Sequence, residues 1–266
     1  MAPLGMKVIR YVVRVLLYFY PLVLLAIFWE FIARSGLVRP LFLPPLSALP
    51  ETAEHLYREG ALLAPLAISL YRAFAGLALA LLIGSVVGIA MSRSRALRWF
   101  AEPLVAVAFP APKLAFLPVF VLWFGLGHLT KILLVAFSCV FPIIIGFYNA
   151  ANAVSPVLIW SAQSMGASEL NILRRVLLPA CVPALFATIR INLPVALIIT
   201  FTAEMIVGGK GLGDDLTYAQ RMFDTPTVYV YILVMLAIGL LVDNVILWTR
   251  RRVLGWYEEN EPGDRV

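Results

Sequence analysis

The chain has 266 residues, of which 62% are hydrophobic and 14% are charged, and its mean hydropathy is +0.93. Soluble domains carry about 25% charged residues, so this composition indicates several membrane-spanning segments and argues against a soluble domain. The formal net charge is +6, but the basic residues cluster beside apolar runs, as they do at membrane surfaces. We therefore expect no nucleic-acid partner.

Six apolar runs are long enough to cross a bilayer. A helix needs about 20 apolar residues to span the hydrocarbon core, and its backbone groups must bond one another there. The runs are continuous, whereas the strands of a membrane barrel alternate. They lie at about 11–32, 70–91, 103–124, 132–149, 184–206 and 228–248. The sequence predicts an all-α integral membrane protein with about six transmembrane helices, the first of them retained because no signal-peptide cleavage site follows it.

Four prolines interrupt the third run, at positions 103, 110, 112 and 118. Proline cannot donate a backbone hydrogen bond, and a broken span is tolerated where water or neighbouring groups satisfy the freed carbonyls. We expect this run to line a cavity rather than to face lipid.

The basic residues also predict an orientation. One alternating set of loops holds twelve of them, including Arg93, Arg95 and Arg98 and the run at 250–252, and the other set holds seven, Arg72 and Lys131 among them. Because Lys and Arg accumulate on the cytoplasmic side, both termini and the segment 150–180 are predicted to be cytoplasmic. Segments 35–60 and 207–227 are then predicted to face outward.

Several charged residues lie in or near the spans. Glu30, Arg190 and Glu204 are close enough to span ends to lie at the membrane interface, whereas Lys113 and Asp243 are deeper. A charge at the helix centre costs about 2.5–3.5 kcal/mol on insertion scales, so it faces the bundle interior or a wet cavity. Our candidates for a pathway lining or an internal charge pair are Lys113, Glu204 and Asp243.

The remaining residue patterns indicate neither a catalytic site nor a metal or cofactor site. Cys139 and Cys181 lie in apolar context and are predicted to be small buried hydrophobes. The sequence shows no metal-ligand spacing and no catalytic constellation, so we expect no metal, no cofactor and no enzymatic activity. The run at 208–213, GGKGLG, lacks the order of a phosphate-binding loop and is expected to be a flexible outward loop. Asp214 and Asp215, which follow it, are expected to be solvated.

The polar segment 155–179 interrupts the apolar runs. Ser155 and Pro156 form a helix-start signal, and Gly166 predicts a turn after that short helix. Ser168 is suited to cap a second helix with Glu169 in its first turn, and Pro179 is expected to end it. The segment is therefore predicted to be two short helices on the cytoplasmic side.

Small residues on the first of these helices favour a protein contact. Ala162 and Gly166 are four residues apart, hence on one face, and Ser161 adds a third small residue. Met165 is a flexible apolar side chain suited to a socket on a partner. The alternative from local chemistry alone is a solvated hairpin, and the residues leave that alternative open.

Five motifs together resemble the permeases of binding-protein-dependent ABC importers. The spacing of Gly166, Val176, Leu178 and Pro179 is similar to that of the family's cytoplasmic loop, E-A-A-x3-G-x9-I-x-L-P. Four further stretches between positions 41 and 216 also resemble this family, namely LFLPPLSAL, SLYRAFAGLALALLIGSVVGIAMSRS, PAPKLAFLPVFVLWFGLG and AEMIVGGKGLGDDL. The combination is similar to the subgroup that imports nitrate, sulfonates and taurine. One position departs: Trp160 stands where the family has Glu, so a salt bridge there is not expected.

The resemblance implies a type I importer fold and a division of the chain. Residues 1–60 would form an N-terminal transmembrane helix and an outward segment, 61–252 the transmembrane domain with a coupling loop at 151–183, and 253–266 a cytoplasmic tail. The residues implied for contact with an ATPase are Ser161, Ala162, Met165, Gly166, Ala167, Ser168, Glu169 and Pro179.

The same resemblance implies partners and a location. These are a second permease subunit, two cytosolic ATPase subunits, an extracytoplasmic binding protein and the bacterial inner membrane. The solute would be a small anion such as a sulfonate, taurine or nitrate. The alternatives are an importer permease for a heterocyclic vitamin precursor and, from another class, an autonomous secondary transporter.

Overall fold

The computed structural model describes residues 20–255, and this part of the chain is helical without a β-strand. Helix α1 covers residues 20–34 of the described range. The helices that follow are α2 (Leu49–Arg58), α3 (Leu63–Arg93), α4 (Arg95–Ala108), α5 (Leu117–Phe124), α6 (His128–Asn152), α7 (Pro156–Ser164), α8 (Glu169–Ile172), α9 (Leu178–Val207), α10 (Leu212–Arg221) and α11 (Thr225–Val253). The predicted all-α class is confirmed.

Four helices in the described range are long and apolar enough to cross a membrane. They contain the predicted second, fourth, fifth and sixth spans, and they run over Leu63–Arg93, His128–Asn152, Glu169–Val207 and Thr225–Val253. The first predicted span begins before residue 20, so its N-terminal part lies outside the described residues.

The third predicted span is a bent pair of helices rather than one helix. The segments Arg95–Ala108 and Lys113–Phe124 meet at an angle of 95°. Pro103 is accommodated inside α4, whereas the break falls at residues 109–112, which include Pro110 and Pro112. Two prolines within three positions remove the backbone donors that would continue the helix, which explains the break.

Helices α6 and α9 form the most extensive helix pair in the described range. Leu134, Cys139 and Ile143 of α6 are fully buried, as is Ala196 of α9. The predicted burial of both cysteines is confirmed, since Cys181 is 1% exposed. Polar side chains also enter this core, among them Thr200, whose hydroxyl bonds its own helix at the carbonyl of Ala196. This pair therefore supplies the buried centre against which α3 packs.

A stripe of small residues brings α3 against α6. Gly76, Ala80, Gly84 and Gly88 recur at four-residue intervals, so they lie on one helical face. A methyl group added at Gly76 would lie 2.6 Å from Val135 Cβ. Gly84 and Gly88 meet the backbone and side chains of α6 just as closely. Inside a bilayer, where burial of apolar groups gives little driving force, close backbone approach of this kind holds helices together.

The described residues divide into two compact units. One contains residues up to Leu63 together with Leu216–Leu233, and the other contains Ala64–Asp215 together with Val234 onwards. In the first unit, Trp29 packs edge-on against Tyr229 with ring centroids 5.0 Å apart, and the Trp29 indole donates to the Pro44 carbonyl at 2.9 Å. The buried charges and the segment 155–179 both belong to the second unit.

The glycine stripe yields a prediction for stability. Gly84→Val should destabilise the fold by about 1–3 kcal/mol, the usual cost of overpacking, because a Cβ there would lie 2.5 Å from Ile143 Cγ2. Thermal unfolding in detergent, followed by the loss of monodisperse protein, measures the effect. Gly239→Val is the matched control, since a Cβ at Gly239 meets nothing within 4 Å. Equal midpoints for the two variants would contradict the packing of α3 on α6.

Candidate functional site

The interior of the second unit holds a buried ion pair between α3 and α9. Arg72 Nη1 lies 2.6 Å from Glu204 Oε1, and the two side chains are 1% and 0% exposed. Burying two charges is expensive unless their remaining hydrogen-bonding groups are also satisfied. The surrounding contacts therefore decide whether the pair is tolerated.

The guanidinium of Arg72 binds the loop at 208–211 that connects α9 to α10. Its Nη1 donates to the carbonyl of Lys210 at 2.5 Å, and its Nη2 donates to the carbonyl of Gly209 at 2.7 Å. Its Nε donates to His128 Nδ1 at 3.2 Å. The planar guanidinium offers five N–H groups in a fixed fork, and these contacts together with Glu204 use four of them. The segment expected to be a flexible outward loop is thus fastened to a buried cation.

The carboxylate of Glu204 is satisfied on its second oxygen as well. Ser69 Oγ donates to Oε2 at 2.7 Å, and the backbone amide of Gly213 donates to the same oxygen at 3.1 Å. Ser69 also accepts from the amide of Leu212 at 3.0 Å. Both oxygens therefore have partners, and those partners include the first turn of α10.

Glycines allow the loop to fold this closely around the carboxylate. Gly211 has φ +125° and Gly209 has φ +89°, in the region that favours glycine. A Cβ on Gly211 would overlap the carboxylate, since it would lie 2.5 Å from Glu204 Cδ. Lys210 also adopts a positive φ, +63°, and its backbone amide donates to Asp214 Oδ2 at 2.8 Å. The GGKGLG run is thus required by packing around the ion pair.

A second buried cation lies beside this pair. Lys131 of α6 is 0% exposed, and its ammonium donates to the carbonyl of Leu126 at 3.2 Å. It forms no salt bridge within the described range, although Glu204 and Asp214 are near enough to attract it. Lys131 therefore differs from Arg72, whose donors are almost all used.

The first turn of α10 contains two acidic residues, and the pKa of one of them is raised. Burial raises the pKa of Asp215 to about 6, with further contributions from the negative charges of Asp214 and Glu204. The expectation that Asp214 and Asp215 form a solvated pair is wrong, because both are partly buried and Asp214 binds the loop backbone. The first turn of α10 is therefore part of the charged cluster.

The structure corrects two further expectations about charges. Glu204 does not reach the surface of the chain, as a charged side chain extending to the membrane interface would, since it is completely buried. Arg72 is not a loop residue at a helix edge, since it is buried within α3. Sequence reasoning missed their pairing because 132 residues separate them. The one available signal was that both stand in helical apolar runs, where an unpaired charge is costly.

The other two candidate charges have different partners. Asp243 of α11 pairs with Arg190 of α9, whose Nε lies 3.2 Å from Asp243 Oδ1, with side chains 36% and 47% exposed. Lys113 donates to the carbonyl of Phe109 and lies over the Phe109 ring, with its nitrogen 5.6 Å from the centroid. Lys113, Glu204 and Asp243 are therefore not brought together, and the role of Lys113 and Asp243 in a pathway stays a prediction.

The first helix of the segment 155–179 and the turn that follows it form as predicted. Helix α7 begins with Pro156, and Gly166 has φ +78°. The amide of Ala167 donates to the Ala162 carbonyl, and the amide of Gly166 donates to the Gln163 carbonyl, at 3.0 and 2.9 Å. This pair of bonds is the Schellman motif, in which glycine takes the left-handed position after the helix. The turn after α7 thus follows from the identity of one residue.

The caps of the hairpin agree with the sequence only in part. Ser168 caps α8 as expected, accepting from the amide of Asn171 at 3.4 Å. Ser155 makes no side-chain cap, and only its backbone carbonyl accepts, from the amide of Leu158. The expectation that Pro179 ends the second helix is wrong: the chain passes through a π-helical stretch, Leu173–Leu177, directly into α9. Pro179 is the second residue of α9 and follows that π-helical stretch at an interval of one residue.

The surface of the hairpin also differs from the predicted contact face. Ala162 is 8% exposed and packs inward with Val154, Ile172 and Leu177, so its assignment to an outer face is wrong. Ser161, Met165 and Gly166 are exposed, as expected. The outer face of α7 is instead apolar, with Val157 and Trp160 each 63% exposed and Met165 79% exposed.

An ion pair ties the hairpin to α3. Arg93 is the last residue of α3, and its Nη2 lies 2.7 Å from Glu169 Oε2. The two side chains are 36% and 71% exposed. Exposed pairs contribute about 0–1 kcal/mol, so this contact orients the hairpin more than it stabilises the fold. The Glu169 side chain, expected to act at a helix start, therefore also contacts the neighbouring helix.

Comparisons with known proteins agree on one family. Residues 76–255 match the model of the family described as "Binding-protein-dependent transport system inner membrane component". The chain is 34% identical to the taurine transport system permease protein TauC of Escherichia coli, over 89% of this chain and 88% of that protein. It is 30% identical to the putative aliphatic sulfonates transport permease protein SsuC of Bacillus subtilis, over 91% and 87%. A chain of the MetNI methionine ABC transporter, in an inward-facing conformation, superposes with a TM-score of 0.64 at 19% identity, over 74% of this chain and 96% of that one.

The buried pair should be sensitive to the loss of one partner. Arg72→Met should destabilise the second unit by about 3–5 kcal/mol because it leaves Glu204 charged and buried. The double variant Arg72→Met, Glu204→Met should recover much of that loss. Denaturant unfolding in detergent micelles measures all three proteins. Arg190→Met is the control, since its pair with Asp243 is partly exposed and should contribute about 0–1 kcal/mol. An additive double variant would contradict direct coupling between Arg72 and Glu204.

The raised pKa of Asp215 predicts a pH dependence. The folded protein holds this proton more tightly than the unfolded chain, so the stability is greatest below pH about 4 and falls until pH about 6. Asp215→Asn should remove that part of the slope and raise the free energy of unfolding at pH 7. Unfolding midpoints measured between pH 4 and pH 8 provide the test, with Glu169→Gln as an exposed control. A variant with the same slope as the wild type would show that Asp215 is not the titrating group.

Proposed function

This chain belongs to the family of binding-protein-dependent transport system inner membrane components, and we propose that it imports small sulfonates such as taurine as the permease subunit of an ATP-driven transporter. The observation that carries the substrate class is the identity of 34%, over 89% of the chain, to a permease named for taurine transport. The relatives named for aliphatic sulfonates add to it, because they share the sulfonate group and differ in the rest of the solute. The sulfonate is thus the common chemical feature.

ATP hydrolysis is assigned to a separate subunit. The glycine-rich run at 208–213 resembles a nucleotide-binding loop only superficially, since its backbone folds around Glu204 and its carbonyls bind Arg72. A phosphate-binding loop instead presents backbone N–H groups to the phosphates, between a strand and a helix. Energy for import therefore has to reach this chain through contact with ATPase subunits.

The α7–α8 hairpin is our proposed contact for the ATPase. Its outer face presents the exposed side chains of Val157, Trp160 and Met165, and its inner face is fixed by Ala162, Ile172 and the Gly166 turn. Large aromatic and flexible apolar groups of this kind fill pockets on partner proteins. The other residues implied for this contact, Ser161, Ala167, Ser168 and Glu169, belong to the same hairpin. Pro179 begins the helix that carries motion into the membrane.

The hairpin is continuous with a span, which gives a route for coupling. The chain runs helically from Glu169 to Val207, so a displacement of the hairpin acts directly on α9 and on Glu204 near its far end. Rigid elements of this kind transmit rocking motions between sites. Two copies of this chain, two ATPase subunits and an extracytoplasmic binding protein make up the proposed assembly in the inner membrane, with both termini cytoplasmic.

Uptake by the reconstituted assembly tests the function. The permease, its ATPase and its binding protein are placed in liposomes, and accumulation of radiolabelled taurine is followed with ATP and with a non-hydrolysable analogue. We expect accumulation only with hydrolysable ATP and binding protein. Uptake by the permease alone, without an ATPase, would instead identify an autonomous secondary transporter.

The exposed tryptophan yields a prediction for assembly. Trp160→Ala should weaken the affinity for the ATPase by about tenfold or more, as expected for a buried aromatic anchor at an interface. Size-exclusion co-purification and titration of ATPase binding in nanodiscs measure the loss. Asn171→Ala is the control, because that side chain is exposed on α8 outside the apolar face of α7. If both variants bind the ATPase equally well, the α7 face is not the contact.

A further inference from the structure

Lys131 has hydrogen-bonding capacity that nothing in the described chain uses. An ammonium has three N–H donors, and the Lys131 nitrogen donates to one carbonyl, that of Leu126. It is nevertheless 0% exposed. A buried cation is costly unless it is paired and hydrogen-bonded. Glu204, the acidic group on a span that attracts Lys131, already has both oxygens bonded to Arg72, Ser69 and Gly213.

The glycine loop at 208–211 is what covers this cation. A methyl group added at Gly209 would lie 3.0 Å from Lys131 Nζ, so the loop backbone rests directly on the ammonium. Gly209 itself is exposed, as is Lys210. A single layer of backbone therefore separates Lys131 from the surface.

The same loop occupies the guanidinium of Arg72. The carbonyl oxygens of Lys210 and Gly209 accept from Nη1 and Nη2 at 2.5 and 2.7 Å. Two neighbouring oxygens on a guanidinium fork form the arrangement in which arginine binds carboxylate, phosphate and similar oxyanions. The loop carbonyls thus occupy donors that two oxygens of an anion could use.

From these contacts we propose that Lys131 and Arg72 form an oxyanion site for the sulfonate group, closed by the 208–211 loop. This site rests on the proposed function for its ligand class. Withdrawal of the loop frees two guanidinium donors and uncovers the ammonium at the first turns of α6. It also removes Asp214 and Asp215, which follow the loop directly and are two of the acidic residues that would repel an anion. Glu204 stays on α9 and keeps Arg72 oriented.

The charges of the cluster suit a monoanion. With the loop in place, Glu204 pairs with Arg72 while Glu204 and Asp214 attract Lys131, and a further anion is disfavoured. With the loop and the first turn of α10 withdrawn, Arg72 and Lys131 face Glu204 alone, and one positive charge is unbalanced. The positive end of α6, which begins at His128 three residues before Lys131, adds to the attraction. A neutral ligand of the same shape can accept hydrogen bonds but lacks the charge that this unbalanced cation attracts, so it binds more weakly.

Direct binding of methanesulfonate tests the site. The permease–ATPase complex in nanodiscs, without binding protein, is equilibrated with radiolabelled methanesulfonate in the nucleotide-free state and in the ATP–vanadate state. We expect binding in at least one of the two states. Lys131→Met should lower the affinity by about tenfold or more, the value of a charge-assisted hydrogen bond, and Lys131→Arg should retain it. Neutral methanesulfonamide should compete only weakly.

Two further variants separate the site from a structural role. Ser138→Ala alters a buried polar side chain on the same helix that bonds only its own backbone, and it should bind methanesulfonate like the wild type. Gly209→Ala places a methyl group against Lys131 at a strained φ of +89°, so it should loosen the loop and raise binding in the nucleotide-free state. Thermal midpoints confirm that each variant is folded.

The outcomes distinguish this inference from the proposed function. Wild-type binding that Lys131→Met leaves unchanged, or the absence of binding in both nucleotide states, would overturn the oxyanion site. Either result is compatible with taurine uptake by the full assembly, so the importer function would stand. An assembly that hydrolyses ATP and imports no sulfonate would overturn the proposed substrate. The methanesulfonate binding experiment would still test whether Lys131 belongs to an oxyanion site.

Discussion

The ion pair between Arg72 and Glu204 is the constraint on which the second unit depends. Two charges without solvent contact are costly unless most of their remaining donors and acceptors are satisfied. This requirement accounts for Ser69 beside the carboxylate, for the loop carbonyls on the guanidinium and for the amide of Gly213. It also accounts for the glycines, since a Cβ at position 211 would overlap the carboxylate. A loop that was expected from the sequence to be flexible is therefore held by hydrogen bonds against the buried ion pair.

Close backbone approach provides the rest of the scaffold. The small-residue stripe of α3 allows it to contact α6, and Gly146 of α6 packs against Thr188 of α9, where a methyl group on the glycine would lie 2.8 Å from the hydroxyl. These contacts position Arg72 and Glu204 on facing helices. At its other end α9 continues into the α8 hairpin. The buried charges and the exposed hairpin are thus attached to a single long helical element, which is the physical basis of the proposed coupling.

Local sequence signals were sufficient to predict the structure where a single residue determines the backbone conformation. Gly166 predicted the turn after α7, and Ser168 predicted the cap of α8, because positive φ and side-chain capping are properties of single residues. The prediction that Pro179 ends a helix was wrong for a related reason. A proline marks the first turn of a helix as readily as it marks an end, and only the preceding π-helical stretch decides which one applies. The assignment of Ala162 to the outer face was wrong because a short helix has two faces. Neighbours distant in sequence determine which of the two is covered.

Composition and motif spacing are enough to establish the helical class, the apolar spans and the family, because long apolar runs and motifs with fixed spacing are local and cumulative signals. The prolines of the third span indicated a break, although not its angle of 95°. The partners of the charges emerge only from the folded chain: Arg72 with Glu204, Arg190 with Asp243, and Lys131 left with one carbonyl. Pairing across more than 50 residues depends on how the helices pack, and no local pattern encodes that geometry.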